Sequence, residues 1–156
     1  MLQKYNKKND NIRIFIDGKL YKRHEAKISV FDSLVQGGDG VWEGIRIYNG
    51  RIFCFEAHLR RLIESAKSLD FKNIPSISYI KDSILTTLKS NNMKDNVHIR
   101  LTLSRGIKIT SGMNPKLNQS GCTLIVLAEW KPPIYSKPIK YGWMACLAPD
   151  GKFCFF

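Results

Sequence analysis

Asn49-Gly50 lies between two β-type runs and determines what kind of sheet this chain can form. The flanking runs cover residues 41–48 and 51–55 and are rich in β-branched and aromatic side chains. Both central positions of a two-residue hairpin turn need a positive φ, which Asn and Gly adopt most readily. The sequence therefore predicts an antiparallel hairpin here and, around it, an antiparallel sheet.

After this hairpin the hydrophobic period changes from two residues to 3.6. Apolar residues recur at helical spacing between Leu59 and Leu69, which predicts a helix that begins near Glu56. Ser76 can cap a second helix with an apolar stripe of its own. Further β-type segments are predicted at residues 12–16, 19–21, 99–104 and 122–128, the last of them as a central strand. The order predicts an α+β fold, a mostly antiparallel sheet with two helices on one face.

The chain has 156 residues, of which 44% are hydrophobic, so it can build a core and is not a disordered chain. We expect residues 1–130 to form a small α+β domain. Residues 131–138 contain three of the six prolines and predict an interdomain linker. Residues 139–156 are too few for a domain and are interpreted as the incomplete start of a second one. The aromatic run at 153–156 leads us to expect a chain that is cut short.

Charge and cysteine spacing exclude some function classes. The chain carries 25 Lys and Arg against 13 Asp and Glu, a net charge of +12, but the basic residues are scattered. This favours a solvated basic surface over a nucleic-acid interface. Without a CxxC pair or a nearby histidine, the four cysteines indicate reduced core residues and no metal site. Without a long apolar run or a leader, we expect a cytoplasmic protein with no membrane contact.

Several polar residues are candidates for a site, and local patterns leave their roles open. The glycines at 37, 38 and 40 precede a strand, which favours a tight turn over a phosphate-binding loop. Glu43 and Glu56 could act as an acid and base pair, although Glu56 is explained as a helix-start residue. Arg61 lies opposite the apolar stripe of its helix, which favours solvent. Arg100 shares a strand face with His98, which indicates either solvent or a carboxylate-binding floor.

Several of these segments occur together in a familiar order. They are FD at 31–32, GDGVWEGIR at 38–46, YNG at 48–50, HLRRL with SA at 58–66, HIRLTLSRG at 98–106 and GMNP at 112–115. In this order the chain resembles the fold type IV, or class IV, pyridoxal-phosphate aminotransferases from about residue 12 to 130. That family includes branched-chain and D-amino-acid aminotransferases and 4-amino-4-deoxychorismate lyase, and the resemblance is nearest the branched-chain side.

The resemblance implies a fold, a cofactor and site residues. The matching region is the small N-terminal domain, and the cofactor is pyridoxal 5'-phosphate (PLP). Arg61 matches the arginine that grips the cofactor phosphate, which replaces the local interpretation of Arg61 as solvated. Trp42, Arg46 and Arg100 match positions on the substrate side of the pocket. The Schiff-base lysine belongs to the large domain, and Lys152 matches its context poorly, so the catalytic residue is left unassigned.

The implied function is transfer of an amino group between an amino acid, of the branched-chain class, and a 2-oxo acid. The loop at 107–110 lacks the arginine that D-amino-acid members use, which argues against that branch. We expect the full-length protein to be a homodimer and the chain of 156 residues to be inactive alone. Two alternatives remain, an aminodeoxychorismate lyase-type PLP enzyme and a non-catalytic basic module that binds a partner or nucleic acid.

Overall fold

The computed structural model describes residues 5–132 and the backbone of residues 146–147 and 153–154. Six antiparallel strands form one sheet in the order β2-β1-β6-β5-β3-β4. The strands are β1 Arg13–Ile16, β2 Lys19–Lys22, β3 Gly40–Tyr48, β4 Arg51–Ile52, β5 Val97–Ser104 and β6 Thr123–Trp130. Two short strands, β7 Cys146–Leu147 and β8 Phe153–Cys154, pair with each other. The predicted α+β fold is confirmed, with β6 inside the sheet as its apolar sequence indicated.

Two long helices pack on the sheet, and a short one precedes β3. The helices are α1 Ser33–Gly37, α2 Phe55–Ser68 and α3 Ile77–Ser90. The Oγ of Ser76 accepts a hydrogen bond from the Tyr79 amide at 3.2 Å, so the predicted cap of α3 is present. The apolar stripe of α2 packs against β3, and α3 packs against β1 and β6. Alternation along the central strands buries the residues that face these helices, among them Ile45, Ile99, Leu101 and Val126.

The region around the Asn49-Gly50 turn differs in part from the prediction. Asn49 and Gly50 have φ values of 49° and 74°, as the predicted hairpin requires. However, β4 has two residues and not five, because Cys54 takes a left-handed conformation and Phe55 already begins α2. Cys54 is therefore exposed, and its interpretation as a core residue was wrong.

Helix α1 is the other departure from the predicted elements. The Asp32 carboxylate accepts a hydrogen bond from the Leu34 amide at 2.9 Å and caps this five-residue helix. Gly38 ends the helix with a φ of 67°, so the glycine cluster is a tight turn into β3. Residues 133–138 of the predicted linker 131–138, Lys152 and the second-domain segment 139–156 lie outside the described residues, apart from the backbone of β7 and β8. Their boundaries remain predictions.

Candidate functional site

The edge of strand β3 is the centre of the candidate site. Strand β4 pairs with β3 only at Ile47 and Tyr48. Within the described residues, positions 40–45 of β3 therefore have a strand neighbour on one side only, namely β5. Successive side chains of a strand point to opposite faces of the sheet. Trp42 and Glu43 consequently flank the same open edge from its two faces.

On the helix-covered face, Glu43 binds two residues of α2. Arg61 donates from Nε to Oε1 and from Nη2 to Oε2, both at 2.6 Å, which is a two-point guanidinium–carboxylate fork. The Nδ1 of His58 lies 2.8 Å from Oε2 of the same carboxylate. His58 and Arg61 are three residues apart, so one helical turn brings both to Glu43. The Glu43 side chain is 6% exposed and that of Arg61 is 54% exposed.

The environment keeps Glu43 ionised. Burial acts to raise the pKa of its carboxyl, but the hydrogen bonds and charges of Arg61 and His58 outweigh burial and lower that pKa. Glu43 is therefore a carboxylate at neutral pH. A buried carboxylate of this kind holds its cationic partner firmly, since losing the partner would leave an unpaired charge in the core.

On the opposite face, Trp42 and Arg100 stack on each other. The guanidinium carbon of Arg100 lies 3.5 Å from the centroid of the Trp42 ring, a close cation–π contact. Trp42 is 56% exposed. Gly44 lies opposite Arg100 in the register, and a Cβ there would come within 3.3 Å of the Nε2 of His98. The absence of a side chain at Gly44 therefore leaves room for the His98 imidazole on this face.

Arg46 and His98 extend this face along the two strands. They are direct cross-strand partners, and the Arg46 guanidinium donates a hydrogen bond to the carbonyl of Lys131, where the chain leaves β6. Burial, together with the charges of Arg46, Lys131 and Arg100, lowers the pKa of His98 from 6.5 to about 4. His98 is thus a neutral imidazole at pH 7, and the positive charge around it comes from Arg46, Lys131 and Arg100.

The structure stacks Arg100 on Trp42 at the open edge of β3 and bonds Arg61 to Glu43 on the opposite face. Arg46 lies beyond the open edge and bonds to Lys131, and the structure adds Glu43 and His58 to the candidates. From sequence, Glu43 was a candidate only together with Glu56, but Glu56 forms its ion pair with Lys81. One signal was available in the sequence. Glu43 alternates with Val41 and Ile45 on the core face of β3, and a carboxylate on a core face needs a cation. Arg61 becomes that cation because α2 packs on β3, and this packing has no signal in the local sequence.

Two further features bear on other classes of site. Across the described residues, no three His, Cys, Asp or Glu side chains come close enough together to hold a metal ion. In the same part of the chain, no helix has the length and apolar character needed to cross a bilayer.

The comparisons with known proteins identify the family. The sequence profile of amino-transferase class IV matches residues 40–150. The chain belongs to the class IV aminotransferase family. Branched-chain-amino-acid aminotransferase-like protein 1 of Arabidopsis thaliana is 57% identical over 127 residues, which cover 81% of this chain and 23% of that protein. A putative branched-chain-amino-acid aminotransferase of Methanocaldococcus jannaschii is 40% identical over 123 residues, 79% of this chain and 42% of that protein.

Solved structures show the same relationship. The branched-chain amino acid aminotransferase of Escherichia coli superposes with a TM-score of 0.65 at 25% identity, and the match covers 76% of this chain and 41% of that one. A branched-chain amino acid aminotransferase solved with pyridoxamine 5'-phosphate superposes with a TM-score of 0.70 at 26% identity, over 83% of this chain and 42% of that one. The described fold is the small N-terminal domain of the fold type IV aminotransferases, which are PLP-dependent enzymes. The chain spans less than half the length of these relatives, so the activity of a whole enzyme is a matter for proposal.

Proposed function

We propose that this chain is the N-terminal part of a PLP-dependent enzyme that transfers an amino group between a branched-chain amino acid and a 2-oxo acid. One observation carries the proposal. Consecutive residues of β3, Trp42 and Glu43, place the stacked pair with Arg100 on one face of an open strand edge and the forked pair with Arg61 on the other. A ligand at that edge can contact both Arg61, which can bind an anion, and the ring of Trp42.

Arg61 suits the phosphate of the cofactor. The Arg61 side chain is 54% exposed, and the orientation of its guanidinium is set by the buried carboxylate of Glu43. Guanidinium groups recognise phosphate oxygens through paired hydrogen bonds, so Arg61 is assigned to hold this group. When bound, PLP supplies an electron sink for chemistry at the amino-acid α-carbon.

The face with Trp42 and Arg100 suits the substrate. Arg100 would bind the carboxylate of the amino acid, and Trp42 would contact its apolar side chain. Arg46 adds positive charge on the same face, while the neutral His98 adds none. The proposal of a branched-chain substrate is supported by the branched-chain aminotransferases among the relatives and by the apolar surface of Trp42.

The remaining parts of the proposal concern the complete enzyme. The residue that moves the α-proton is not assigned in this chain, so we expect residues 1–156 alone to be inactive. In its full-length form we expect a homodimer in the cytoplasm, with an amino acid and a 2-oxo acid as its small-molecule partners.

The assignment of Arg61 can be tested with pyridoxamine 5'-phosphate, which has no aldehyde to react with surface lysines. The purified chain is titrated by fluorescence, beside the variants Arg61→Ala and Arg60→Ala. Arg60 is the exposed neighbour on the same helix, so its loss removes the same charge and serves as the control. We expect Arg61→Ala to raise the Kd about 10- to 100-fold, the range for a lost charged hydrogen bond. Equal affinities for the two variants would refute the phosphate assignment.

A further inference from the structure

The buried carboxylate of Glu43 requires an explanation. Glu43 lies on the core face of β3, opposite Leu101, and its side chain is 6% exposed. Replacing a buried ion pair by well-packed apolar side chains is often neutral or stabilising. Stability alone therefore does not account for a carboxylate at this position. We therefore consider the effect of the Glu43 carboxylate on the exposed Arg61 side chain.

Glu43 restricts a side chain that otherwise has many conformations. An arginine on a helix surface has many rotamers, and a ligand that fixes the side chain must overcome this conformational entropy. In this structure the two-point fork fixes both the position and the plane of the guanidinium group before any ligand binds. Pre-organisation of this kind strengthens binding by removing an ordering cost.

His58 supports the carboxylate in turn. A carboxylate oxygen only accepts hydrogen bonds, so we assign the proton to Nδ1 of His58, which donates to Oε2 at 2.8 Å. The Nη2 of Arg61 lies 3.1 Å from the same Nδ1 and is, with this tautomer, a neighbouring donor and not its partner. The His58 side chain is 15% exposed and lies one helical turn before Arg61. Both carboxylate oxygens of Glu43 are thereby bonded to side chains of α2.

We propose that Glu43, held in place by His58, is a positioning residue that presents the Arg61 guanidinium to the phosphate of the cofactor. The inference rests on the proposed function, because it presupposes that Arg61 binds the phosphate. It goes further by assigning two additional residues to that site and by giving each a role. Glu43 fixes the guanidinium, and His58 fixes Glu43.

The charge of Glu43 decides which variant tests this inference. Its negative charge repels a phosphate dianion, so Glu43→Gln would remove the repulsion and the fork together. Glu43→Asp keeps the charge but shortens the side chain by one methylene, so the fork and the His58 hydrogen bond are lost while the repulsion remains. We expect Glu43→Asp to raise the Kd for pyridoxamine 5'-phosphate about three- to tenfold, the cost of ordering one long side chain. Glu64→Asp, at an exposed position on the same helix, is the matched control.

A second pair of variants tests the role of His58. Asn places an amide N–H near the position of the histidine Nδ1, so His58→Asn should preserve the hydrogen bond to Glu43 and keep the wild-type Kd. His58→Leu removes the donor and should weaken binding in the same direction as Glu43→Asp. If His58→Asn keeps the wild-type Kd and His58→Leu does not, His58 acts as a hydrogen-bond donor and not only by packing.

A measurement without cofactor shows whether the network exists in solution. The Nε–H of Arg61 is followed by ¹H–¹⁵N NMR in the full chain, where its bond to Glu43 should slow exchange with water. Exchange should become fast in Glu43→Asp and His58→Leu and stay slow in Glu64→Asp. Fast exchange in the wild-type chain would overturn the inference before any ligand is added.

The binding outcomes separate the inference from the proposed function. If Arg61→Ala weakens binding and Glu43→Asp does not, Arg61 binds the phosphate without help and the positioning role is refuted. If Arg61→Ala has no effect, or if the wild-type chain does not bind pyridoxamine 5'-phosphate, the phosphate assignment fails and the positioning role fails with it. Weakened binding in Glu43→Asp and His58→Leu, with normal binding in His58→Asn, would support both.

Discussion

His98 should make the stability of this chain depend on pH. Its imidazole is half-buried beside Arg46, Arg100 and Lys131, and burial followed by these charges lowers its pKa from 6.5 to about 4. Between these two values the unfolded chain binds a proton that the folded chain does not bind. The free energy of unfolding therefore falls as the pH falls through this window, and it is unaffected by His98 above about pH 7.

The size of the effect follows from the two pKa values. Each unit of pKa difference corresponds to about 1.36 kcal/mol, so the whole window from 6.5 to about 4 represents roughly 3 kcal/mol. Between pH 7 and pH 5 most of the unfolded chains become protonated at His98 while the folded chains stay neutral. We expect a loss of about 2 kcal/mol over this interval.

Urea unfolding followed by tryptophan fluorescence at pH 7 and pH 5 measures this loss. The His98→Gln variant should lose about 2 kcal/mol less than the wild-type chain over the same interval. His24→Gln is the control, because the His24 side chain is 76% exposed. The same pH dependence in His98→Gln as in the wild-type chain would refute the reasoning. It would mean that the imidazole is protonated in the folded chain despite its cationic neighbours.

Three further substitutions test the fold by urea unfolding. Leu101→Ala, at a position with no exposure, should lower the free energy of unfolding by about 2–5 kcal/mol, and a smaller loss would mean that the core collapses around it. Gly106→Ala should lower it by at least about 2 kcal/mol, because φ is 108° and the added Cβ would lie 1.8 Å from the Gly121 carbonyl oxygen. Gly37→Ala, with nothing within 4 Å of the added Cβ, is its control and should lose nothing. Ser76→Ala should cost about 1 kcal/mol through the lost cap, and a wild-type midpoint would contradict that cap.

Much of the fold was predictable because its signals are local. Asn49-Gly50 specifies a hairpin turn by its conformational preferences, and the change of period after it indicates α2. The missed elements depend on single residues in unusual roles. Asp32 caps a five-residue helix and also accepts hydrogen bonds from Ser104 and Thr123 on distant strands, and Cys54 ends β4 in a left-handed conformation. Neither role follows from the type of residue at that position.

For the site, too, the features with a local sequence signal were predictable, and those that depend on tertiary packing were not. The alternation of β5 places Arg100 on a polar face, and the structure adds Trp42 to that face through the register of β3 with β5. The interpretation of Arg61 as solvated is correct in exposure but misses its partner. Glu43 and Arg61 are 18 residues apart and meet only because α2 packs back on β3. Contacts of this kind follow from tertiary packing, and the family resemblance supplied what the local pattern did not.

An exposed strand edge also has a simpler explanation than a binding site. Charged side chains on an edge strand protect it from pairing with other chains, and Arg61 beside the edge of β3 could serve that purpose. Protection, however, needs only a solvated charge on either face. It does not need a carboxylate buried to 6% exposure, held by two residues of a helix and fixed against the guanidinium at two points. Since such a pair costs desolvation and protection does not require it, fixed orientation of Arg61 is the property that distinguishes a binding edge from a merely protected one.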